Sequence, residues 1–420
     1  MSEFTHTCVD RFLNYVTFDT QSSEESESYP STDKQKILGK VLVDELKEMG
    51  LKDAEMDEWG YVTGTLPANC DHDVPVIGLI AHMDTSPEVS GKDVKAIIHE
   101  NYQGGDVQIS ADLGIVLKEA ENPELQNQIG NDIITSDGST LLGADNKAGI
   151  AEIFDALHHL VAHPEIKHGA IRVAVTPDEE VGRGTEHFDI EKFGADYAYT
   201  IDGETLGEVE DETFSADSVQ IIIKGVNVHP GYAKNKLISA IKIAAEIIDR
   251  LPKESLSPET TEKREGYIHP HAISGGVEET RMTFLIRDFT VEGLKGHEDF
   301  LKGICDEVMA GHPKAQLEFK VEESYRNMKY KLVEDLKVVD FAVEAIEKTG
   351  LVSRKNIIRG GTDGSRLSYD GLLTPNIFTG GHNFHSRQEW ISIQDMKSAV
   401  KAIVNIVRIW QEKAKRGFDT

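Results

Sequence analysis

A chain of 420 residues, 39% hydrophobic and 28% charged, is too long for one ordinary core and reads as a globular protein of two domains. A formal net charge of −29 repels phosphate backbones and anionic lipid, which argues against nucleic acid or a membrane surface as partner. No apolar run reaches transmembrane length, MSEFTHTCVDRF lacks the features of a signal peptide, and Cys8, Cys70 and Cys305 form no CxxC pair, so a cytoplasmic protein without disulfides is expected.

Residues 4–18 place Val9, Phe12, Leu13 and Val16 at helical spacing, and the polar connector DTQSSEESESYPST follows. Residues 33–50 predict an amphipathic helix with Ile37, Val41, Leu42, Leu46 and Met49 on one side and Gly50 at its stop. Residues 54–66 predict a strand. Residues 76–81 are a short apolar run, the signature of a strand buried on both faces, and they lead into His82-Met83-Asp84. Alternate residues of an extended chain point the same way, so His82 and Asp84 share one space at the strand's C-terminal end, where open α/β sheets bind ligands. Imidazole ligates zinc and a nearby carboxylate fixes its tautomer; a surface His-x-Asp is the plain alternative. Residues 88–130, with β-like pieces at 106–110 and 114–117, read as an insertion.

Residues 140–161 run from GADNKAG into a helical pattern of Ile150, Ile153, Phe154, Leu157 and Leu160. Asp145 therefore stands at a helix N-terminus, where it is an N-cap, an ionised carboxylate available to a ligand, or both. The apolar run 170–176 ends in Pro177-Asp178-Glu179-Glu180, and a strand at 197–200 ends in Ile201-Asp202. Adjacent ionised glutamates repel, so Glu179-Glu180 requires a cation or free solvent. Three strand ends and one helix start thus deliver acidic groups, a convergence that solvated loops do not explain.

From residue 212 the pattern changes. Strands at 218–224, 267–273, 280–289 and 315–321 and helices at 237–251 and 294–310 give the order βαββαβ, a ferredoxin-like module inserted into the α/β domain. The α/β pattern then returns with a helix at 335–348, a strand at 356–360, the loop GGTDGSR (a turn or a substrate loop), a short strand at 376–379, the segment GGHNFHSRQEW and a final amphipathic helix at 396–413. The expected division is residues 1–211 with 325–420 as one discontinuous domain, and 212–324 as the insert.

The inventory of candidate ligands is histidines and carboxylates without cysteines. It suits zinc, with manganese or cobalt as substitutes, and so many carboxylates suggest two metals sharing a bridge, with one further glutamate as general base.

FDTQS, IAHMDTS, LLGADNKAGIAEI, TPDEEVGRG, YTIDGE, KGVNVHPGYAKNK, IRDF, RGGTDGSRLS and NFHSRQEW, spread over essentially the whole chain, resemble the motifs of the dinuclear zinc peptidases, the family that includes carboxypeptidase G and the aminoacylases. The resemblance implies a mixed-sheet catalytic domain with an inserted lid and dimerisation domain, two zinc ions, a small peptide substrate, a homodimer, and the activity of a tripeptide aminopeptidase. It implies His82 and Asp202 as ligands of one zinc, Glu180 and His385 as ligands of the other, Asp145 as the bridge, Asp84 as the group orienting His82, and Glu179 as general base. Before the resemblance, Glu179 and Glu180 are interchangeable. It further implies that His229 reaches the substrate, often across a dimer. Arg287 is a candidate for the substrate's carboxylate, with a surface arginine as the plain reading and Arg281 as a competitor. The runner-up activities are a dipeptidase, a carboxypeptidase or a deacylase with the same cage, and then a silent binding protein of this fold.

Overall fold

The computed structural model describes residues 4–418, which divide into two compact units: residues 4–211, 330–356 and 362–418 in unit 1, and Glu212–Lys329 with Ile357–Gly361 in unit 2. The segment expected as the insert, 212–324, is thus shorter than unit 2, which runs on to Lys329 and takes in 357–361.

Unit 1 opens with α1 (Cys8–Tyr15) and α2 (Gln35–Glu48). Leu38, Leu42, Val43 and Leu46 form the buried face of α2, whereas Ile37 is 56% exposed; the face is turned from the predicted one because it packs on the hairpin that follows. That hairpin, β1 (Glu55–Met56) and β2 (Val62–Leu66), replaces the single strand predicted over 54–66, because Asp57 accepts the Tyr61 N–H and reverses the chain. Next come β3 (Ile77–His82), β4 (Ile97–His99), β5 (Val107–Ser110), β6 (Ile115–Leu117) and β7 (Ile133–Thr135). They are followed by α3 (Ala144–Ala162), β8 (Ile171–Thr176), α4 (Ile190–Phe193), β9 (Tyr197–Gly203) and β10 (Glu208–Thr213).

The inserted elements are β11 (Ser215–Lys224), α5 (Ala240–Asp249), β12 (Tyr267–Gly275), β13 (Glu279–Asp288), α6 (Val291–Ala310) and β14 (Gln316–Tyr325). Their strands form an antiparallel sheet in the order β12-β13-β11-β14. Alternation puts Val219, Ile221, Ile223, Phe284 and Ile286 in one core with Ile243 and Ile247 of α5 and Leu301 of α6. The chain closes with α7 (Lys329–Leu332), α8 (Lys337–Glu347), β15 (Arg354–Ile358), α9 (Asp363–Tyr369), β16 (Asn376–Phe378), β17 (Gly381–His382), β18 (Trp390–Ser392) and α10 (Ile393–Arg416).

The main sheet has eight strands in the order β1-β2-β8-β3-β9-β16-β10-β15 and is mixed: β8, β3, β9 and β16 run parallel, while β2 is antiparallel to β1 and β8, and β10 to β16. β3 lies between β8 and β9, so the C-terminal ends of all three adjoin. Every residue of β3 is buried, as its unbroken apolar run requires. Helix α3 packs on β3 and β9, burying Ile150, Ile153, Phe154 and Leu157 completely, each worth about 1.5–3 kcal/mol. Gly149 permits the approach, since a Cβ there would run into the carbonyl oxygen of Ile201.

Residues 88–130 are not a free-standing insertion. β4 pairs with β7, β7 with β18 and β18 with β17, so a second sheet unites this region with the end of the chain. Trp390 shares a core with Tyr102, Val107, Ile109, Leu117, Leu125 and Ile133. Among the described residues, no helix is long and apolar enough to cross a membrane, and the three cysteines are unpaired.

Candidate metal centre

His82 is the last residue of β3, 2% exposed, and its two ring nitrogens face different partners. Nδ1 lies 3.1 Å from the Asp84 carbonyl oxygen and 3.3 Å from Asp84 Oδ1. Nε2 lies 2.9 Å from Asp145 Oδ1, 3.4 Å from Asp202 Oδ1 and 4.0 Å from Glu179 Oε2. Asp84 also accepts the backbone N–H of Glu179 (3.0 Å) and of Glu180 (3.1 Å), which ties the end of β3 to the turn after β8. Asp202 falls inside β9, which extends past the predicted end at residue 200.

Asp145 turns its second oxygen to another histidine. Oδ2 lies 3.2 Å from His385 Nε2, and the same nitrogen is 2.7 Å from Glu180 Oε2. Asp145 is not the N-cap of α3. The Asn146 side chain caps the continuing helix instead, by accepting the Gly149 N–H (3.2 Å), which leaves the Asp145 carboxylate free for the histidines. His385 stands in the left-handed region (φ 58°), in a turn where Ser386 Oγ donates to the Asn383 carbonyl and Asn383 Nδ2 donates to Asn122 Oδ1 (2.7 Å).

The residues fit a pair of divalent cations. Ligand atoms about 2.0–2.1 Å from one tetrahedral ion lie roughly 3.3 Å apart, and two such groups are present: His82 Nε2 with Asp145 Oδ1 and Asp202 Oδ1, and His385 Nε2 with Asp145 Oδ2 and Glu180 Oε2. One oxygen of Asp145 belongs to each. Donor atoms of His82, Asp145 and Glu180 also lie within 4.8 Å of one another. Glu180 Oε1 is buried with no hydrogen-bond partner. Among the described residues, no lysine or arginine pairs with Asp84, Asp145, Glu179, Glu180 or Asp202.

The family model for peptidase family M20/M25/M40 matches residues 138–409, well over half of the chain. The chain belongs to this peptidase family. It is 50% identical over 406 residues to the peptidase T of Bacillus pumilus (strain SAFR-032), covering 97% of this chain and 99% of the relative. The crystal structure of the aminopeptidase PepT from Bacillus cereus has 25% identity and a TM-score of 0.73, with 96% of this chain and 98% of that chain covered. A dinuclear metal binding peptidase of the M20 family from Bacillus subtilis shares the fold at 15% identity and a TM-score of 0.65, covering 96% of this chain and 98% of that one.

The electrostatics of this M20 chain follow from burial without counter-charge. Burial, with Asp202, Asp363 and Glu180 nearby, pushes the Glu179 carboxyl well above its usual value against the pull of His82. Glu180 is pushed up to about 8 by burial and by Asp145. Asp202 is pushed up to about 6, again chiefly by burial. Burial works against protonation of His385, but its hydrogen bonds to Asp145 and Glu180 push it up to about 11. Asp145 moves the other way, because the hydrogen bonds of His385 and His82 outweigh its burial.

A cavity of about 530 Å³ opens over Asp145 and His385, and Glu121, Asn122, Glu124, Glu204, His382 and Trp390 are among its lining residues. Residues 88–130 therefore supply one wall. His382 stacks on Trp390 with ring centroids 4.3 Å apart, and burial pushes its pKa down to about 4. His229 and Arg287 lie in unit 2. His229 is exposed and its Nδ1 accepts the Gly231 N–H (3.1 Å). Arg287 is half-buried, its guanidinium over the Tyr325 ring at 5.4 Å, and Arg281 pairs with Glu279.

Two further carboxylates belong to the neighbourhood and went unassigned in the sequence. Asp363 opens α9 where a loop is predicted, accepts the Thr176 hydroxyl (2.8 Å), and is pushed up to about 6 by burial. Glu389 is 1% exposed and accepts N–H groups of the segment carrying Asp145. An acid set directly before the buried pair Trp390-Ile391 was the available signal. A separate His6–Cys8–Asp155 group needs no ion: Asp155 accepts the Cys8 N–H (3.2 Å) and the Thr7 hydroxyl (3.0 Å), a tertiary cap on α1.

Proposed function

We propose that this peptidase is a tripeptide aminopeptidase that uses a pair of divalent cations, zinc by its family resemblance with manganese or cobalt as substitutes. The observation that carries the reading is Asp145 reaching His82 with one oxygen and His385 with the other. His82, Asp145 and Asp202 would hold one ion, and His385, Asp145 and Glu180 the second. The bound ions supply Lewis acidity toward a peptide carbonyl and an attacking water. Asp84 holds Nδ1 of His82, so that Nε2 keeps its direction toward Asp145. Glu179 is the general base; it takes a proton from the attacking water and returns it to the leaving amine.

The cavity supports an ammonium end rather than a carboxylate end for the substrate. Its lining holds Glu121, Glu124 and Glu204 and, among the described residues, neither lysine nor arginine. His229 and Arg287 are proposed as further substrate contacts. Unit 2 as a ferredoxin-like lid and dimerisation domain, and a cytoplasmic location, complete the reading.

The test is hydrolysis of an unblocked tripeptide beside its N-acetylated and C-amidated forms with zinc supplied. The free and amidated peptides should be cut at the first bond and the acetylated one left intact. Equal or faster cleavage of the acetylated peptide would move the assignment to a deacylase or carboxypeptidase.

A further inference from the structure

The buried carboxylate of Glu389 closes on the backbone that carries Asp145. Oε2 accepts the N–H of Leu142 (2.7 Å) and of Gly143 (2.8 Å), and Oε1 accepts the N–H of Asp145 (3.1 Å). These groups precede the helical part of α3, and the Asn146 cap serves Gly149 instead, so without Glu389 they would be buried donors lacking an acceptor. Gly143 makes the convergence attainable. Its φ of 87° turns successive N–H groups toward one point, a conformation costly for any residue with a Cβ. Among the described residues, Glu389 makes no hydrogen bond or close ion pair with a lysine or arginine; the amides hold its oxygens directly, and the buried Lys147 acts on it only through space.

The position of Glu389 in the chain gives this contact a purpose. It lies in the loop after His385, and its own N–H donates to the Ser386 carbonyl (3.4 Å). The loop that presents His385 therefore grips the backbone that presents Asp145. Asp145 must keep one oxygen 2.9 Å from His82 and the other 3.2 Å from His385, so a small rotation of its peptide would open one half of the centre. We propose that Glu389 is a positioning residue that sets the bridging carboxylate between the two histidines before any cation arrives. This rests on the two-ion reading of the site.

The experiment titrates metal-free wild type and Glu389→Gln with Co²⁺, following both the dissociation constants and the visible absorption of the bound ion. Gln has nearly the same shape but presents an NH₂ to one of the amides. The wild type should bind two ions. The variant should bind the weaker of them about 10–100-fold less tightly, the usual effect of losing a group that orients a ligand, with an altered cobalt spectrum. At saturating cobalt its kcat should fall while KM for a tripeptide stays within about twofold of wild type. A structural role alone would lower the melting temperature and leave the constants and spectrum as they are; that result overturns the proposal. Hydrogen exchange in metal-free wild type gives a check without a variant. The amides of Leu142, Gly143 and Asp145 should already be protected, and exchange at the rate of an exposed loop would equally overturn it. A wild type that binds fewer than two ions defeats the two-ion reading, and the proposal with it.

Discussion

Buried acid is handled in opposite ways at Glu212 of unit 2 and around Asp145 of unit 1. In unit 2, Glu212 is 5% exposed, Lys329 Nζ donates to its Oε2 (2.8 Å), and Arg264 donates to both of its oxygens (2.6 and 2.5 Å). Burial alone would raise its carboxyl, but these cations pull it down to about 2. In unit 1, Glu179, Glu180 and Asp202 have histidines beside them and no fixed cation, and burial pushes all three up. An acid whose counter-charge is built into the chain serves the fold. A group of acids and histidines that converges without one suits a cation from outside, as proposed above.

Four perturbations probe that contrast. The largest effect is expected from a chelator, which should abolish peptide hydrolysis until zinc or cobalt is returned; full activity in metal-free protein would contradict the contrast. Next, Glu179→Gln should lower kcat by about 10²–10⁴-fold, the usual worth of a general base, while metal analysis still finds the ions bound.

The third concerns pH. Glu180 is raised to about 8, Asp202 to about 6 and His385 to about 11. A raised group means that the native state holds a proton the unfolded chain has released, so stability falls as pH rises. The carboxylates act from their unfolded value of about 4 upward, and the His385 contribution, complete below about pH 6.5, fades toward its folded value. The melting temperature of metal-free protein should therefore fall between about pH 5 and 8, and added zinc should raise it most at the upper end, where fewer protons compete for the ligands. A flat profile would contradict this. The smallest change is expected in unit 2: Glu212→Gln should cost about 1–3 kcal/mol in denaturant unfolding and leave kcat unchanged.

Much of unit 1's site is legible in the sequence because adjacent parallel strands end together. His82, Asp84 and Asp202 follow from strand ends, and Glu179-Glu180 from the turn after β8. The division of labour at Asp145 is less legible. A helix-start aspartate looks like a cap, and only the structure passes that duty to Asn146. Residues 88–130 resisted reading because their strand partners, β7 and β18, are distant in the chain, and periodicity carries no information about such pairing. Glu389 escaped for the same reason: its partners, Leu142 to Asp145, lie far back along the sequence. In α2 the hydrophobic spacing identified the helix but misjudged its face by including Ile37.

The proposed pair of cations depends on Asp145, whose two oxygens are shared between the ligand groups. Its most direct test is the number of zinc ions retained per chain after dialysis, by elemental analysis, in wild type and in Asp145→Ala. Two are expected in the wild type and none held tightly in the variant, since both ligand groups lose an oxygen together. One ion in the wild type, or two still held without Asp145, would contradict it.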